Sequence, residues 1–260
     1  VPTGDDSCPY SSWSAFCGNP LLIDLEELHR VGLLDAHHMQ SPEISDHALC
    51  LEAARKVKEP RLELAAQRLL SDETHPWHRQ LLEFRERAGW VEDAALFAVL
   101  GTQNGGASWW SWGEPLRTRR PVAVARARNE HARAIDEIVA IQFFFDHQWR
   151  RLRAYCDARG VQLLGDLPLY VAANSVDVWV NQEQFRLNED GLPQVVSGAP
   201  PDAFSDEGQC WSNPIYDWEV MARDDYRWWG DRLERALELT DTVRLDHFRG
   251  FEAYWEIPAS

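Results

Sequence analysis

Two short apolar segments of this sequence each end in an aspartate that is placed to do chemistry. Segment 161–168 carries Asp166, and segment 242–246 ends at Asp246. Each segment follows a stretch of helical periodicity, so the sequence predicts two helix-then-strand units and a parallel α/β arrangement. In barrels built from such units, catalytic side chains lie at the carboxyl ends of the strands.

Arg244, Asp246 and His247 form the densest group of chemically useful residues. Strand side chains alternate, so Arg244 and Asp246 project to the same side. A nearby guanidinium favours the ionised carboxylate that a glycosidase nucleophile requires, and His247 is placed to hydrogen-bond a sugar hydroxyl. From these residues alone, an Arg–Asp pair that merely closes a strand end explains the pattern as well.

Asp166 and the loop tryptophans also have two interpretations each. Asp166 precedes a rigid turn, where it either binds substrate hydroxyls or only accepts backbone hydrogen bonds. Trp211 lies in a loop-rich stretch (170–216), and three further tryptophans lie in the Gly-rich segment 101–121. Loop tryptophans serve as platforms for the apolar faces of sugars or pack into a core.

Composition excludes several classes of partner. The formal net charge is -16, and so acidic a chain repels nucleic acid and anionic membrane surfaces. Lys56 and Lys58 are the two lysines among 26 basic residues. This arginine bias fits either an acidic enzyme from a genome biased toward arginine codons or an enzyme from a salt-adapted host. No apolar run approaches the ~20 residues of a membrane span.

Cysteine and histidine spacing predicts neither a metal site nor a disulfide framework. The sequence has 5 cysteines at long, irregular spacings, which indicates a reduced, cytoplasmic compartment. The pair His37–His38 has no supporting acid at ligand spacing and is interpreted as surface histidines. No phosphate-binding glycine loop is present. We therefore expect no metal.

Four segments, in order along the chain, resemble segments of the amylomaltases, glycoside hydrolase family 77. Residues 243–255 resemble the nucleophile segment of that family, and residues 165–172 resemble a preceding strand end. Residues 197–211 resemble its mobile loop on the acceptor side, and residues 8–20 its early loop. The resemblance covers essentially the whole chain.

The resemblance implies a 4-alpha-glucanotransferase with an α/β fold, an incomplete TIM (β/α)8 barrel with a large helical insertion. Its parts are an early barrel loop and helix at 1–45, a mainly helical insertion at 46–134, and barrel strands and helices at 135–260. The acceptor-side loop is expected near 197–214. Substrates would be maltooligosaccharides, amylose or glycogen-type α-glucans, and the resemblance implies no metal and no organic cofactor.

The resemblance also implies a role for each site residue. Asp246 matches the nucleophile, and five residues match substrate-binding positions: Tyr10, Asp166, Trp211, Arg244 and His247. Several positions depart from the family pattern, among them Ala203 in place of a usual tyrosine, Asn174 in place of a usual aspartate and Ser212 in place of a usual glycine. The family's acid/base glutamate and a third acid are expected beyond residue 260, so the 260-residue chain alone is expected to be inactive. A non-catalytic glucan-binding remnant and an α-glucan hydrolase are the alternative interpretations.

Overall fold

The computed structural model describes residues 1–3, 8–40, 51–201, 203 and 205–259, which form a mixed α/β fold. The chain divides into two compact units. Unit 1 is Val1–Phe16, Gly101–Val124 and Arg153–Ser260, and unit 2 is Cys17–Leu100 and Ala125–Leu152. The predicted boundary between 1–45 and 46–134 lies within 41–50, outside the described residues, and the three-part division stays a prediction.

The described residues contain helices and short strands with the following bounds. The helices are α1 Leu25–Arg30, α2 Leu51–Ser71, α3 Pro76–Arg87, α4 Val91–Gln103, α5 Glu114–Arg117, α6 Pro121–Glu130, α7 Ala132–Asp157, α8 Val176–Val180, α9 Trp218–Met221 and α10 Arg227–Leu239. The strands are β1 Leu164–Leu167, β2 Val195–Ala199, β3 Gln209–Pro214, β4 Thr242–Leu245 and β5 Trp255–Pro258. None of these helices is long and apolar enough to cross a bilayer.

Unit 2 is helical, as the periodicity of its sequence predicts. The apolar stripe of α2 is buried at Leu62 and Leu69, each no more than 1% exposed. The break after α2 has a local cause. Pro76 occupies the first turn of α3, where its missing N–H costs nothing, and the His75 side chain accepts a hydrogen bond from the Trp77 N–H.

Unit 1 contains the parallel pair of strands that the sequence predicts. Strand β1 pairs with β4 in parallel, and the register places Asp166 opposite Arg244. Gly165 lets β1 lie close to the residues that lead into β4, because a Cβ at position 165 would lie 2.7 Å from the Thr240 hydroxyl. The carboxyl ends of the two strands therefore meet at one edge, with their acidic and basic side chains adjacent.

A second sheet of unit 1 takes two of its three strands, β2 and β3, from the loop-rich stretch 170–216. Strand β2 pairs in antiparallel fashion with β3 on one side and with β5 on the other. Gly198 lowers the strand propensity of β2, so the sequence did not predict this strand. The pairing nevertheless requires a glycine there. A Cβ on Gly198 would lie 2.3 Å from the Gln209 carbonyl oxygen.

Two tryptophans of the Gly-rich segment belong to the core of unit 1. Trp109 is fully buried and Trp112 is 3% exposed. The Trp109 indole N–H donates to the Ala173 carbonyl at 2.9 Å, so its burial leaves no polar atom unsatisfied. For these two residues, packing is the correct interpretation and a sugar platform is wrong.

Candidate active site

Asp166 and Arg244 form a two-pronged ion pair across the carboxyl ends of β1 and β4. Arg244 Nε donates to Asp166 Oδ1 at 2.7 Å, and Nη2 donates to Oδ2 at 2.9 Å. The guanidinium fork matches a carboxylate in shape, so the pair fixes both side chains. Asp166 therefore binds side chains, whereas the purely structural interpretation gave it only backbone partners.

Asp246 joins this network directly after β4. Its backbone N–H donates to the Leu167 carbonyl at 3.0 Å, which extends the parallel ladder by one residue. Its Oδ1 lies 3.0 Å from Arg244 Nη2, the same nitrogen that binds Asp166. The Asp246 side chain is 39% exposed, so this carboxylate is held by a cation and remains accessible.

Tyr10 completes the network. It lies in the opening loop, which is the early loop of residues 8–20. The Tyr10 hydroxyl donates to Asp166 Oδ2 at 2.9 Å, across a sequence separation of 156 residues. The loop is anchored near α8, where the Ala15 N–H donates to the buried Asp177 carboxylate at 2.8 Å. Four of the six residues that the sequence nominates are thus joined by hydrogen bonds or an ion pair.

The charges of the network are mutually stabilising. The hydrogen bonds from Arg244 hold the pKa of Asp166 below its ordinary value, and the Tyr10 hydrogen bond acts in the same direction. The Asp166 hydrogen bond raises the pKa of Arg244 in return, and it raises that of Tyr10. At neutral pH the site therefore presents an ionised Asp166, a cationic Arg244 and a protonated Tyr10.

His247 adopts a left-handed backbone conformation, with φ of 50°, that turns the chain sharply after Asp246. The turn leads into Gly250, whose N–H donates to the His247 carbonyl at 2.8 Å. A Cβ on Gly250 would lie 2.1 Å from Leu169 Cδ2 and 2.8 Å from His247 Cδ2. A glycine at 250 therefore allows the imidazole to lie against the chain.

His247, Trp211 and Tyr170 form an aromatic wall beside the carboxylates. The His247 ring centroid lies 5.1 Å from that of Trp211 and 6.1 Å from that of Tyr170. His247 Nε2 and the Tyr170 hydroxyl are shielded from solvent, and neither has a hydrogen-bond partner among the described residues. A buried polar atom without a partner needs an explanation, and an ordered water or a side-chain rearrangement on ligand binding would supply one.

Tyr170 lies beside His247 and Trp211 but was not predicted as a site residue from the sequence. Aromatic residues near strands are usually core, and Tyr170 is only 6% exposed. The available signal was its position four residues after Asp166, beyond the rigid Pro168 turn. Trp211 also differs from expectation, because it lies on strand β3 and not on a loop.

Replacing Gly250 with alanine is expected to destabilise the protein by about 1–3 kcal/mol, the usual cost of overpacking. The new methyl group would collide with Leu169 and displace His247. Urea unfolding of the natural protein and the variant measures the difference. Gly230→Ala is the matched control: Gly230 lies within α10 with open space around it, so alanine should stabilise by about 0.5–1 kcal/mol. Equal stability of the Gly250 variant and the natural protein would contradict the packing argument.

Ser212 occupies a position that favours glycine. Its φ is 61°, in the left-handed region where a Cβ costs roughly 1–2 kcal/mol. This backbone geometry accounts physically for the glycine that the family pattern usually has there. Ala203, the other departure, lies in an exposed bend of the predicted acceptor-side loop, whose residues 202 and 204 lie outside the described residues.

Asp35, His37 and His38 bring three metal-capable atoms within 4.8 Å of one another in unit 2. The expectation that no acid supports these histidines was therefore wrong. Two of the donors already have other partners, however. His38 Nδ1 accepts the Asp35 N–H at 3.1 Å, and Asp35 Oδ2 binds Arg68 at 2.5 Å. Metal binding would break a helix cap and an ion pair, so we assign no metal to this cluster.

Comparisons with known proteins agree on one family. The family model of glycoside hydrolase 77, described as 4-alpha-glucanotransferase, matches residues 1–260. A 4-alpha-glucanotransferase of Thermus thermophilus is 43% identical over 261 residues, which are 100% of this chain and 51% of that protein. The chloroplastic/amyloplastic 4-alpha-glucanotransferase of Solanum tuberosum is 42% identical over 266 residues, covering 100% of this chain and 46% of that protein.

A solved structure gives the same answer at the level of the fold. The amylomaltase from Streptococcus agalactiae, in complex with acarbose, superposes with a TM-score of 0.89 and 35% identity. The alignment covers 100% of this chain and 52% of that one. The chain thus spans about half the length of the relatives it matches. On the match of the family model over residues 1–260, this chain belongs to the 4-alpha-glucanotransferase family, glycoside hydrolase family 77.

Proposed function

We propose that the complete protein containing this chain is a retaining 4-alpha-glucanotransferase with Asp246 as its nucleophile. The observation that carries the proposal is the shared guanidinium nitrogen. Arg244 Nη2 lies within 3.0 Å of both the Asp166 and the Asp246 carboxylates. This arrangement keeps an accessible carboxylate beside a fixed cation, as attack on an anomeric carbon requires.

The reaction would proceed through two displacements. An Asp246 oxygen attacks the anomeric carbon, the glycosidic C–O bond breaks, and the leaving oxygen takes a proton from an acid. The 4-hydroxyl of a second glucan then attacks the same carbon, returns its proton to that acid and releases Asp246. A retaining mechanism needs this second carboxyl about 5 Å from the nucleophile. The chain spans only about half the length of the relatives it matches, so the proposal concerns the complete protein.

The remaining site residues would hold the glucan. The Asp166 carboxylate would accept hydrogen bonds from sugar hydroxyls, and the His247 ring lies beside Trp211 at 5.1 Å between centroids. Trp211 offers an apolar face beside them. Maltooligosaccharides, amylose and glycogen-type glucans fit this combination of acid, imidazole and aromatic groups. A cytoplasmic location stays a prediction.

The parallel pair β1–β4 supports a further part of the proposal, an incomplete (β/α)8 barrel. The site residues of these two parallel strands lie at the carboxyl ends of the strands, where barrel enzymes carry their catalytic groups. Helical residues of the 46–134 segment would then form the insertion.

Incubation of the complete protein with maltotriose tests the proposed function. We expect glucose together with longer maltooligosaccharides, at a constant number of reducing ends, because each bond broken is replaced by one formed. A rise in reducing ends would indicate a hydrolase. Binding without any product would indicate a non-catalytic glucan-binding remnant.

A further inference from the structure

Helix α10 buries two arginines on one face. Arg232 is 3% exposed and Arg235 is 5% exposed. Residues three positions apart on a helix lie on the same side, so the two guanidinium groups enter the same interior region of unit 1. Burial of a cation costs several kcal/mol unless hydrogen bonds compensate it. The partners of these two arginines therefore indicate what they stabilise.

Arg232 binds the turn that follows Asp166. Its Nη2 donates to the Pro168 carbonyl at 2.7 Å, and its Nη1 donates to the Leu169 carbonyl at 3.1 Å. The Tyr216 hydroxyl donates to the same Leu169 oxygen at 2.8 Å. These two carbonyls lie between Asp166 and Tyr170 in the chain, so the hydrogen bonds fix the segment that carries both.

The indole rings of α10 hold the Arg232 side chain in place. Its guanidinium carbon lies 5.3 Å from the Trp228 ring centroid and 4.9 Å from that of Trp229. Cation–π contact of this kind is strongest where water is excluded. The forked donor is thus preorganised, and it presents two N–H groups to two successive carbonyls.

Arg235 performs the equivalent function for the opening loop. Its Nε donates to the Phe16 carbonyl at 3.2 Å, and the Phe16 ring meets Trp228 edge-on at 6.3 Å between centroids. Phe16 ends the segment Val1–Phe16 of unit 1 that carries Tyr10. Helix α10 is followed by β4, which carries Arg244. One helix therefore contacts or adjoins all three segments that meet at Asp166.

We propose that Arg232, supported by Arg235, is a positioning residue that sets the geometry of the Tyr10–Asp166–Arg244 network through the Pro168–Leu169 carbonyls. The proposal rests on the proposed glucanotransferase function. Arg232 touches no reacting atom; its hydrogen bonds determine where the Asp166 carboxylate lies. A purely structural arginine would stabilise the fold without affecting catalysis through Asp166.

A double-mutant cycle in the complete protein separates the two roles. Arg232→Met should lower kcat/KM for maltotriose about 10²-fold, the cost of an ångström-scale misplacement. In the Asp166→Asn background the same change should cost less than about threefold, because its effect passes through Asp166. Equal losses in both backgrounds would overturn the proposal. Absence of transferase activity in the unmodified protein would instead refute the proposed function.

Two further variants keep the test decisive. Arg227→Met removes an exposed arginine from the same helix and should change kcat/KM less than about twofold, the effect of a surface site. Should Arg232→Met fail to fold, Arg232→Lys replaces it in the cycle, since a lysine keeps the charge but cannot bind both carbonyls as a fork. Full activity of Arg232→Lys would also overturn the proposal.

Discussion

Replacing Asp246 with asparagine should lower kcat for glucan transfer by about 10⁴-fold or more, the usual loss when a covalent nucleophile is removed. Asparagine has nearly the same shape and can still accept a hydrogen bond from Arg244 Nη2, which lies 3.0 Å from the carboxylate. It lacks the negative charge that attacks the anomeric carbon. Glucan binding should change little, so the loss should appear in kcat and not in KM. Initial rates of glucose release from maltotriose measure it.

Asp231 provides the matched control for this experiment. It lies exposed on α10, and Asp231→Asn removes the same charge from the chain. We expect less than about a twofold change in rate, as for other surface substitutions. A rate for Asp246→Asn within tenfold of the natural protein would show that the nucleophile lies elsewhere.

Replacing Arg244 with methionine should lower kcat/KM by about 10²–10³-fold, the range for loss of one preorganised electrostatic donor. The guanidinium binds Asp166 through two hydrogen bonds and also contacts Asp246. Without it, two carboxylates face each other with only the Tyr10 hydroxyl bound to Asp166. The Asp166 carboxylate would then be less ionised and less well placed.

The pH dependence of Arg244→Met follows from the sign of the Asp166 shift. Arg244 holds the pKa of Asp166 below its ordinary value, so the stabilising contribution of the ionised pair is present at neutral pH and is lost as pH falls. Removal of Arg244 raises the pKa of Asp166. The acidic limb of the kcat/KM profile should therefore move to higher pH.

Arg244→Lys is the control that separates the positive charge of residue 244 from the geometry of its hydrogen bonds. Lysine restores the cation but offers a single point donor, so it cannot reproduce the fork on Asp166. We expect kcat/KM about tenfold above that of Arg244→Met, and an acidic limb close to that of the natural protein. An unshifted limb in Arg244→Met would contradict the electrostatic role of Arg244.

The strand-end aspartates were predictable because their signal is local. Alternation within 242–246 places Arg244 and Asp246 on one side, and the parallel pairing of β1 with β4 follows from the helix-then-strand order. The main partner of Arg244 was not predictable in this way. From sequence proximity the arginine should support Asp246, yet its fork binds Asp166, which is 78 residues away. Only the register of the two strands determines that choice.

The rest of the site depends on long-range contacts that no short pattern encodes. Tyr10 reaches Asp166 from the opening loop, and Tyr170 is buried although its hydroxyl stays unsatisfied. The sequence predicts that Trp109 and Trp211 both lie in loops. In the structure Trp109 is buried in the core, and Trp211 lies beside His247. Family resemblance supplied the positions of Tyr10 and Trp211 before the structure supplied their geometry, but it did not supply that of Tyr170.

Trapping of the covalent intermediate tests the central claim most directly. The complete protein would be incubated with an activated, fluorinated glucosyl donor that slows release of the sugar, then digested and analysed by peptide mass spectrometry. We expect one glucosyl residue attached to the Asp246 side chain, and no labelled peptide from Asp246→Asn. A sugar attached to Asp166, or to any other carboxylate, would contradict it.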